Sequence, residues 1–344
     1  MPYSAKCARQ SVPGRYTKNF PGVPGDVYYV VGVMKNEQSM IFRQHHSFPD
    51  GLRDMIPQYP AAAAVTMAIR PLLHPLFQAL PDGISEFTFA NIYLFRAAHN
   101  YLLSRLSDGR IIILGNDHGH PFFMSPFGLP EKPLLDLLMT NHGRMKCVAA
   151  SQKEFLEAMG FVVTEDRDNF DYLYLRRELA ELTGRKFQKK RNLIKGFLNN
   201  FNWEGRPLLP ELLGDAIGIL EAWRNEHDSA GDYAAAREAL EKSEELQLCG
   251  GIYYVDGQPA AFTLGEELAC GTSFVIHFEK ALNRYKGIYQ FINQAFASIL
   301  PETYETINRE QDLGEEGLRH AKLSYRPSGF VEKFSATLPH SAYK

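Results

Sequence analysis

One segment of the chain, residues 274–294, constrains the fold more than any other. An apolar stretch at 274–278 has the composition of a β-strand, and an amphipathic stretch beginning near Gly287 has the periodicity of a helix. Only a short basic turn separates them. Such a join directs backbone N–H groups and the positive end of the helix dipole at one point, where an anion or a developing oxyanion can bind. We therefore expect an α/β (α+β) fold with an anion site at this turn.

The turn itself supplies four candidate substrate-binding residues. Arg284 and Lys286 bring positive charge, and the backbone N–H groups at 286–289 include those of Gly287 and Tyr289. Together they predict a site for an anion or a carbonyl oxygen. The alternative is a solvated turn that carries two surface cations.

Length and composition bound the class of protein. A chain of 344 residues is long enough for two domains of about 150 residues, and its net charge of −3 does not indicate a nucleic-acid partner. No apolar run approaches the roughly 18 residues that span a bilayer, and the N-terminus lacks a signal-peptide layout. We expect a cytoplasmic protein. Its cysteines are scattered without metal-ligand spacing, which predicts buried free thiols and no metal site: Cys7, Cys147, Cys249 and Cys270.

Signals along the chain divide it into three parts. Recurrent proline and glycine between residues 13 and 25 predict an irregular extension over 1–66, with Met67 as a candidate natural start. Beyond it, the order helix, β-hairpin, strand, helix, strand occurs twice, with hairpin turns at 107–109 and 256–257. This pattern predicts two similar units, 67–200 and 201–344. The first lacks a polar cluster like that of the second, so we expect it to be a degenerate copy.

Two titratable residues lie at the end of the strand before the basic turn. His277 and Glu279 are two positions apart, so a regular strand would place them on one face, with Ile276 and Phe278 on the other. Such a pair is suited to proton transfer from an attacking amine or hydroxyl, and Glu279 is the better candidate. The alternative is a structural hydrogen bond and a salt bridge.

A second polar cluster follows the next strand, where ligands bind in open α/β sheets. Asn308, Arg309 and Asp312 are candidates to orient a substrate, and Glu310 joins His277 and Glu279 as a candidate for proton transfer. Asp312 is equally suited to cap a helix. Lys322 and Arg326 lie on or beyond the following helix, where they reach the same cleft or remain on the surface.

Residues 185–195 form a strongly basic segment. Its candidate nucleic-acid or anion-binding residues are Arg185, Lys186, Lys189, Lys190 and Arg191. Clustered positive charge suits a phosphate backbone or an anionic lipid headgroup, with binding that salt weakens. The alternative is the solvated face of an amphipathic helix.

Five motifs in order resemble a known family. They lie at 168–174, 184–192, 274–280, 286–294 and 307–319, and they are similar to bacterial homologues of the C-terminal domain of phosphatidylglycerol lysyltransferase. The likeness spans 68–335. It implies two tandem GNAT-like folds, similar also to the Fem-type aminoacyl ligases, which move an aminoacyl group from charged tRNA to an amine or a lipid hydroxyl. Residues 284–289 also resemble the acyl-CoA pyrophosphate loop of GNAT acyltransferases, except that Tyr289 replaces a small residue.

These observations predict an aminoacyl- or acyltransferase whose cleft lies in the second unit. Glu279 or His277 would assist deprotonation of the acceptor, and the turn at 286–289 would stabilise the oxyanion. The expected partners are tRNA and an anionic lipid headgroup, which would bring the protein to the inner membrane as a peripheral protein, and no cofactor is expected. One alternative is an acyl-CoA-dependent N-acyltransferase. Another is a module that binds tRNA or a membrane surface without catalysis.

Overall fold

The computed structural model describes residues 50–226 and 231–339, together with the short antiparallel pair Tyr16–Thr17 and Tyr28–Tyr29. Within 50–339 the described residues form two seven-stranded sheets. The first sheet contains, in spatial order, β1 (Ala63–Ala64), β2 (Leu102–Arg105), β3 (Ile111–Asp117), β4 (His120–Met124), β5 (Arg144–Ala149), β14 (Lys333–Thr337) and β6 (Val162–Glu165). The second contains β8 (Trp203–Pro207), β9 (Cys249–Val255), β10 (Gln258–Leu268), β11 (Ser273–Ala281), β12 (Thr306–Asn308), β7 (Asp171–Leu175) and β13 (Gly329–Val331).

Helices cover both sheets. They are α1 (Asp50–Met55), α2 (Arg70–Gln78), α3 (Phe89–Leu94), α4 (Lys132–His142), α5 (Ala150–Ala158), α6 (Arg176–Glu181), α7 (Gln188–Asn200), α8 (Leu213–Asn225), α9 (Tyr233–Glu241), α10 (Ser243–Leu246), α11 (Ile288–Ile299) and α12 (Glu316–Leu323). In the part of the chain that the structure describes, no helix has the length and apolar character needed to cross a membrane.

Local sequence accounts for the hairpins at the centre of each sheet. Asp256 and Gly257 have φ values of 50° and 78°, the left-handed pair that a tight hairpin between β9 and β10 requires. In the first sheet, Gly109 with a φ of 90° closes the hairpin between β2 and β3. Both predicted hairpins are therefore confirmed.

The folded body begins before Met67. Although an irregular extension to residue 66 was expected, residues 50–65 contain α1 and β1. Leu52 and Ile56 are fully buried and Val65 is 3% exposed, all in the core that also holds Phe89. These apolar side chains cover the first unit, so a chain that started at Met67 would lose part of that core. Apart from the short pair at 16–17 and 28–29, the rest of the extension lies outside the described residues.

The two sheets exchange one strand each. Strand β7 lies within the first unit along the chain but pairs with β12 and β13 in the second sheet, whereas the late strand β14 pairs with β5 and β6 in the first. Asp171 at the start of β7 and Lys333 at the start of β14 form a buried ion pair of 2.7 Å where the two crossings meet. The boundary at residue 200 stays a prediction about folding units, but it does not separate the two sheets.

The described cysteines lie in different environments. Cys147 is buried, Cys270 is half-buried and Cys249 is exposed. Burial raises the pKa of the Cys147 thiol well above its usual range. The expectation of buried thiols holds for Cys147, is wrong for Cys249, and for Cys7 falls outside the described residues.

Candidate active site

The candidate cleft of the second unit lies where two parallel strands stop pairing. Strands β11 and β12 pair over three positions, from Ser273–Thr306 to Val275–Asn308, where β12 ends. Just beyond, Glu279 of β11 and Arg309 meet, with 2.8 Å between Arg309 Nη2 and Glu279 Oε1. Their side chains are 8% and 16% exposed. Burial alone would lower the pKa of Arg309, but the charge of Glu279 outweighs it and raises that pKa.

Helix α11 adds an amide to the pair. Asn293 is 2% exposed. In one orientation of its amide, Nδ2 lies 3.4 Å from Glu279 Oε2; in the other, Oδ1 accepts from Arg309 at 2.8 and 3.2 Å. The second orientation pairs an acceptor with two donors, so it is the better one. Glu279, Arg309 and Asn293 thus form one buried polar group.

A β-bulge separates the two residues that were expected to share a face. The register between β10 and β11 passes from Leu264–Phe278 to Gly265–Ile276, which leaves His277 without a partner residue. Ile276 then packs with Phe296 of α11, whereas Phe278 belongs to the core on the opposite side of the sheet. The prediction that His277 and Glu279 lie on one face is wrong, because the extra residue reverses the alternation.

Glycine makes this bulge possible. A Cβ at Gly265, opposite the bulge, would lie 2.0 Å from the carbonyl oxygen of Val275. No larger residue fits that approach, so the position requires glycine. A glycine within a predicted strand is a signal that could have indicated the bulge from sequence.

His277 is held between two carboxylates. Its Nδ1 lies 2.8 Å from Glu310 Oε1, its Nε2 lies 3.0 Å from Glu266 Oε1, and its side chain is 1% exposed. Burial alone would lower the pKa of His277, but the hydrogen bonds to Glu266 and Glu310 and their charges outweigh it and raise it to about 10. The imidazole is thus positively charged at neutral pH. Sequence reasoning did not identify Glu266, which lies on the neighbouring strand β10.

The side chains of the polar cluster after β12 point to different partners and do not converge on one ligand site. Asn308 turns toward the first unit, Arg309 toward Glu279, and Glu310 toward His277. Asp312 is fully buried and accepts hydrogen bonds from Tyr172 at 2.5 Å and from Arg319 at 2.7 and 2.9 Å. Burial by itself raises the pKa of Asp312, but these bonds hold it well below its usual range. Asp312 therefore stabilises the loop.

Lys322 returns to the cleft and Arg326 does not. Lys322 Nζ donates to the carbonyl oxygens of Arg309, Glu310 and Gln311 at 2.6, 3.0 and 2.5 Å, and the residue is 8% exposed. Burial lowers the pKa of Lys322 to about 8, and the charge of Arg309 contributes. Arg326 is exposed.

The basic turn is packed more tightly than a free anion loop. Gly287 has a φ of 93°, and a Cβ there would lie 2.5 Å from the carbonyl oxygen of Leu193 on α7. The hydroxyl of Tyr289 accepts from the backbone N–H of Ala281 at 3.3 Å. Arg284 and Lys286 are both exposed. Tyr289, at a position where the acyl-CoA loop has a small residue, therefore accepts the hydrogen bond that the last N–H group of β11 donates.

The basic segment points in several directions. Arg185 and Lys189 are exposed. Lys186 pairs with Glu178 at 2.7 Å, and Arg191 donates to the carbonyl oxygen of Gly184 at 2.7 Å. Lys190 points inward, with Nζ 2.7 Å from Ser324 Oγ and 3.8 Å from the centroid of the Tyr325 ring. Lys190 thus packs on Tyr325 and not on the exposed side of the segment, and nucleic-acid or anion binding by the five cations stays a prediction.

Lys190 lies beside the Glu279–Arg309 pair. Burial lowers the pKa of Lys190 to about 8, and the charge of Arg309 adds to this effect. The Arg309 guanidinium also lies 5.4 Å from the centroid of the Tyr325 ring. The cleft therefore combines one buried carboxylate with two cations, and sequence reasoning missed the contribution of Tyr325.

Comparison with known proteins places this cleft in a family. A family model described as Phosphatidylglycerol lysyltransferase, C-terminal, matches residues 77–337. The chain belongs to this family. The resemblance seen in the five sequence motifs is confirmed, and the mixed α/β fold of two tandem GNAT-like units is confirmed with it.

Three relatives illustrate the range of similarity. The crystal structure of a conserved protein of unknown function from Bacteroides thetaiotaomicron VPI-5482 is 33% identical, covers 81% of this chain and 99% of that one, and has a TM-score of 0.73. The C-terminal domain of a putative lysylphosphatidylglycerol synthetase from Agrobacterium fabrum shares the fold at 12% identity, with coverages of 80% and 93% and a TM-score of 0.58. An uncharacterized protein from Mycoplasmoides gallisepticum is 23% identical over 181 residues, 50% of this chain. That match spans 57% of the relative's length.

Proposed function

We propose that the protein is an aminoacyltransferase that moves an aminoacyl group from charged tRNA to an amine or hydroxyl acceptor, a lipid being one candidate. The observation that carries the proposal is the buried Glu279–Arg309 pair at the point where β11 and β12 separate. Ligands in α/β sheets bind outside the carboxyl ends of such strands. Family membership supports the same class of reaction.

The chemistry required is the attack of a nucleophile on an ester carbonyl. A bond forms between the acceptor nitrogen or oxygen and the carbonyl carbon, and the ester bond to the tRNA ribose breaks. Glu279 takes the acceptor proton, which then passes to the departing ribose oxygen, so the step is balanced without any further reactant. Arg309 and the N–H groups of the first turn of α11 are the candidate donors to the oxyanion.

His277 is the weaker candidate for the base. Both of its ring nitrogens lie within 3.0 Å of a carboxylate oxygen, and its raised pKa leaves the imidazole charged at neutral pH. A charged imidazole has no free lone pair to accept a proton. In this proposal His277 and Glu310 stabilise the bulge, while Glu279 on the opposite face performs the proton transfer.

Positive charge around the cleft suits an anionic donor or acceptor. Lys190 is half-buried beside Arg309, and Arg185 and Lys189 are exposed on the same segment. These cations are candidates to bind the phosphates of the tRNA acceptor end or an anionic lipid headgroup. Association of the protein with the membrane surface belongs to the same proposal.

The test uses pooled radiolabelled aminoacyl-tRNA, the purified protein and a cell extract divided into lipid and soluble fractions. We expect label to move into one fraction, and RNase treatment of the tRNA beforehand to abolish the transfer. Glu279→Gln should lower turnover at least about a hundredfold, the scale of general acid–base catalysis. The matched control Glu154→Gln, on the exposed face of α5, should retain full turnover.

Each negative result removes a different part of the proposal. If the native protein leaves charged tRNA intact, aminoacyl transfer is refuted. If transfer occurs and Glu279→Gln retains it, the role of Glu279 is refuted. Acyl-CoA is the less favoured donor, because the Tyr289 hydroxyl occupies the Ala281 N–H at the end of β11. Calorimetric titration with acetyl-CoA tests this alternative directly.

A further inference from the structure

A segment of the first unit touches the loop that carries Arg309 and Glu310. The carbonyl oxygen of Gly83 accepts from Asn308 Nδ2 at 3.1 Å, and the hydroxyl of Ser85 accepts from Gln311 Nε2 at 2.9 Å. Ser85 and Asn308 are both fully buried. The contact therefore joins the segment 83–85 to both ends of the loop 308–311.

Asp171 is the centre of this contact. Its two carboxylate oxygens accept from the backbone N–H of Ser85 at 2.9 Å, from the Ser85 hydroxyl at 2.8 Å, from Asn308 Nδ2 at 3.1 Å and from Lys333 Nζ at 2.7 Å. Asp171 is itself fully buried. A buried carboxylate with four donors has one low-energy arrangement, because moving any donor leaves charge without a partner.

Asn308 links Asp171 to the backbone of the loop 308–311. Its side-chain oxygen accepts from the backbone N–H of Glu310 at 2.8 Å, and Glu310 has a φ of 54°. A residue other than glycine in this left-handed conformation costs about 1 kcal/mol, so surrounding contacts must hold it. Lys322 also holds this loop, because its Nζ donates to the backbone carbonyl oxygens of residues 309–311.

We infer that the first unit is a positioning element for the cleft of the second. Ser85 and Asp171, through Asn308 and Gln311, fix the backbone of 308–311 and so set Arg309 against Glu279. They are positioning residues, because they lie behind the loop and do not contact Glu279. The inference rests on the proposed function for its consequence in catalysis, but the ordering of the loop can be measured without any reaction.

The polar character of the contact supports this role. Apolar side chains alone would join the two units, as the core shared by Phe95 and Phe278 already does. Hydrogen bonds in a buried site add direction, since each donor must meet its acceptor within a few tenths of an ångström. The contact is thus suited to hold one backbone conformation.

A double-mutant cycle tests the link between the units. Ser85→Ala removes the hydroxyl that accepts from Gln311 and donates to Asp171, whereas Gln311→Met removes only the donor to Ser85, with little change in volume. Ser125→Ala is the matched control, because Ser125 is a buried serine of the first unit whose hydroxyl donates to Gly128 within the same unit. Two quantities are measured for each variant: amide hydrogen exchange of peptides covering 308–314, and kcat and KM for aminoacyl transfer.

For Ser85→Ala we expect exchange about tenfold faster in 308–314, with unchanged exchange in peptides covering 111–124. We expect kcat to fall about tenfold while KM stays within twofold. Gln311→Met should change both quantities in the same direction but by less, because Ser85→Ala also removes the hydrogen bond to Asp171. The double variant should be no worse than Ser85→Ala alone, which already lacks the bond to Gln311. Ser125→Ala should leave exchange in 308–314 and kcat unchanged.

Several outcomes would overturn the inference. Equal results for Ser85→Ala and Ser125→Ala in both measurements would be one. Faster exchange throughout the first unit in Ser85→Ala would be another, because it would show a purely structural role. Additive effects of the two substitutions would show that no shared bond carries the effect. If the native protein transfers no aminoacyl group, the proposed function fails, whereas selective exchange in 308–314 would still establish that the first unit orders the loop.

Discussion

The two units share one arrangement of strands but differ in the polarity of the residues that helices α4 and α11 bury. In each sheet a hairpin leads to a parallel pair, β4–β5 in the first and β11–β12 in the second, and then to a strand more than 100 residues away along the chain. Helix α4 buries Leu135, Leu138 and Met139, whereas α11 buries Asn293 among its apolar residues. The same arrangement of strands and helices thus encloses an apolar core in the first unit and a buried polar group in the second.

The largest expected effect breaks the seam between the units. Lys333→Met leaves Asp171 and Glu86 buried without their cation, so we expect a loss of about 4 kcal/mol in the free energy of unfolding. Urea denaturation measures it. Lys132→Met, at an exposed pair with Asp136, should cost less than about 1 kcal/mol. Separate transitions for the two units in the native protein, where the seam is intact, would show that the seam does not couple them.

Exchanging the buried residues of the two helices sharpens the comparison. Leu138→Asn places an amide without a partner in the apolar core of the first unit, so we expect a loss of about 3 kcal/mol in unfolding free energy. Asn293→Leu removes an acceptor of Arg309, which keeps its bond to Glu279, so we expect transfer to fall about tenfold and a smaller loss of stability, about 1 kcal/mol. Thermal unfolding and the transfer assay measure the two effects. Equal losses of stability would contradict the distinction between the helices.

Two histidines should respond to pH in opposite directions. The pKa of His277 is about 10 in the folded protein, above the usual 6.5, so its contribution to stability is complete below pH 6.5 and is lost as pH rises to 10. The stability difference between the native protein and His277→Gln should shrink over this range, by up to about 1.4 kcal/mol per pH unit. Urea denaturation at several pH values measures it.

His142 in the first unit is the matched comparison. Burial lowers the pKa of His142 in the folded protein, so its neutral form is favoured and stability is lost as pH falls below 6.5. The stability difference between the native protein and His142→Gln should therefore vary with pH in the opposite direction to the difference for His277→Gln. A difference for His277→Gln that stays constant from pH 6 to 10 would show that the carboxylates do not hold a proton on His277.

Local sequence signals predicted most elements but not their arrangement. The helix expected to begin near Gly287 is observed as Ile288–Ile299, because its apolar spacing and Gly287 are local properties. The places of β7 and β14 could not be predicted, since their partners lie more than 100 residues away along the chain. Strand pairing over such distances depends on the whole fold and leaves no periodic trace in either segment.

The same contrast between local signals and distant partners explains why only part of the cleft was predicted. Glu279 and Arg309 stood out because polar residues at strand ends are unusual in an apolar context, and the structure brings them together. The inward turn of Lys190 could not be foreseen, because its partners Ser324 and Tyr325 belong to a distant helix end. Nor could the bulge at His277, which depends on the register of β10 as well as on Gly265.

The exchange of strands sets an order for folding during synthesis. Within the described chain, β6 pairs with β14 and with no other strand, and β14 lies at 333–337, more than 160 residues after β6. The first sheet therefore cannot close until residue 337 has left the ribosome, even though its other strands emerge much earlier. Until then the edges of β5 and β6 stay unpaired and exposed, and such edges are sites of aggregation. Changes that slow the synthesis of residues 176–337 should therefore affect solubility before they affect the cleft.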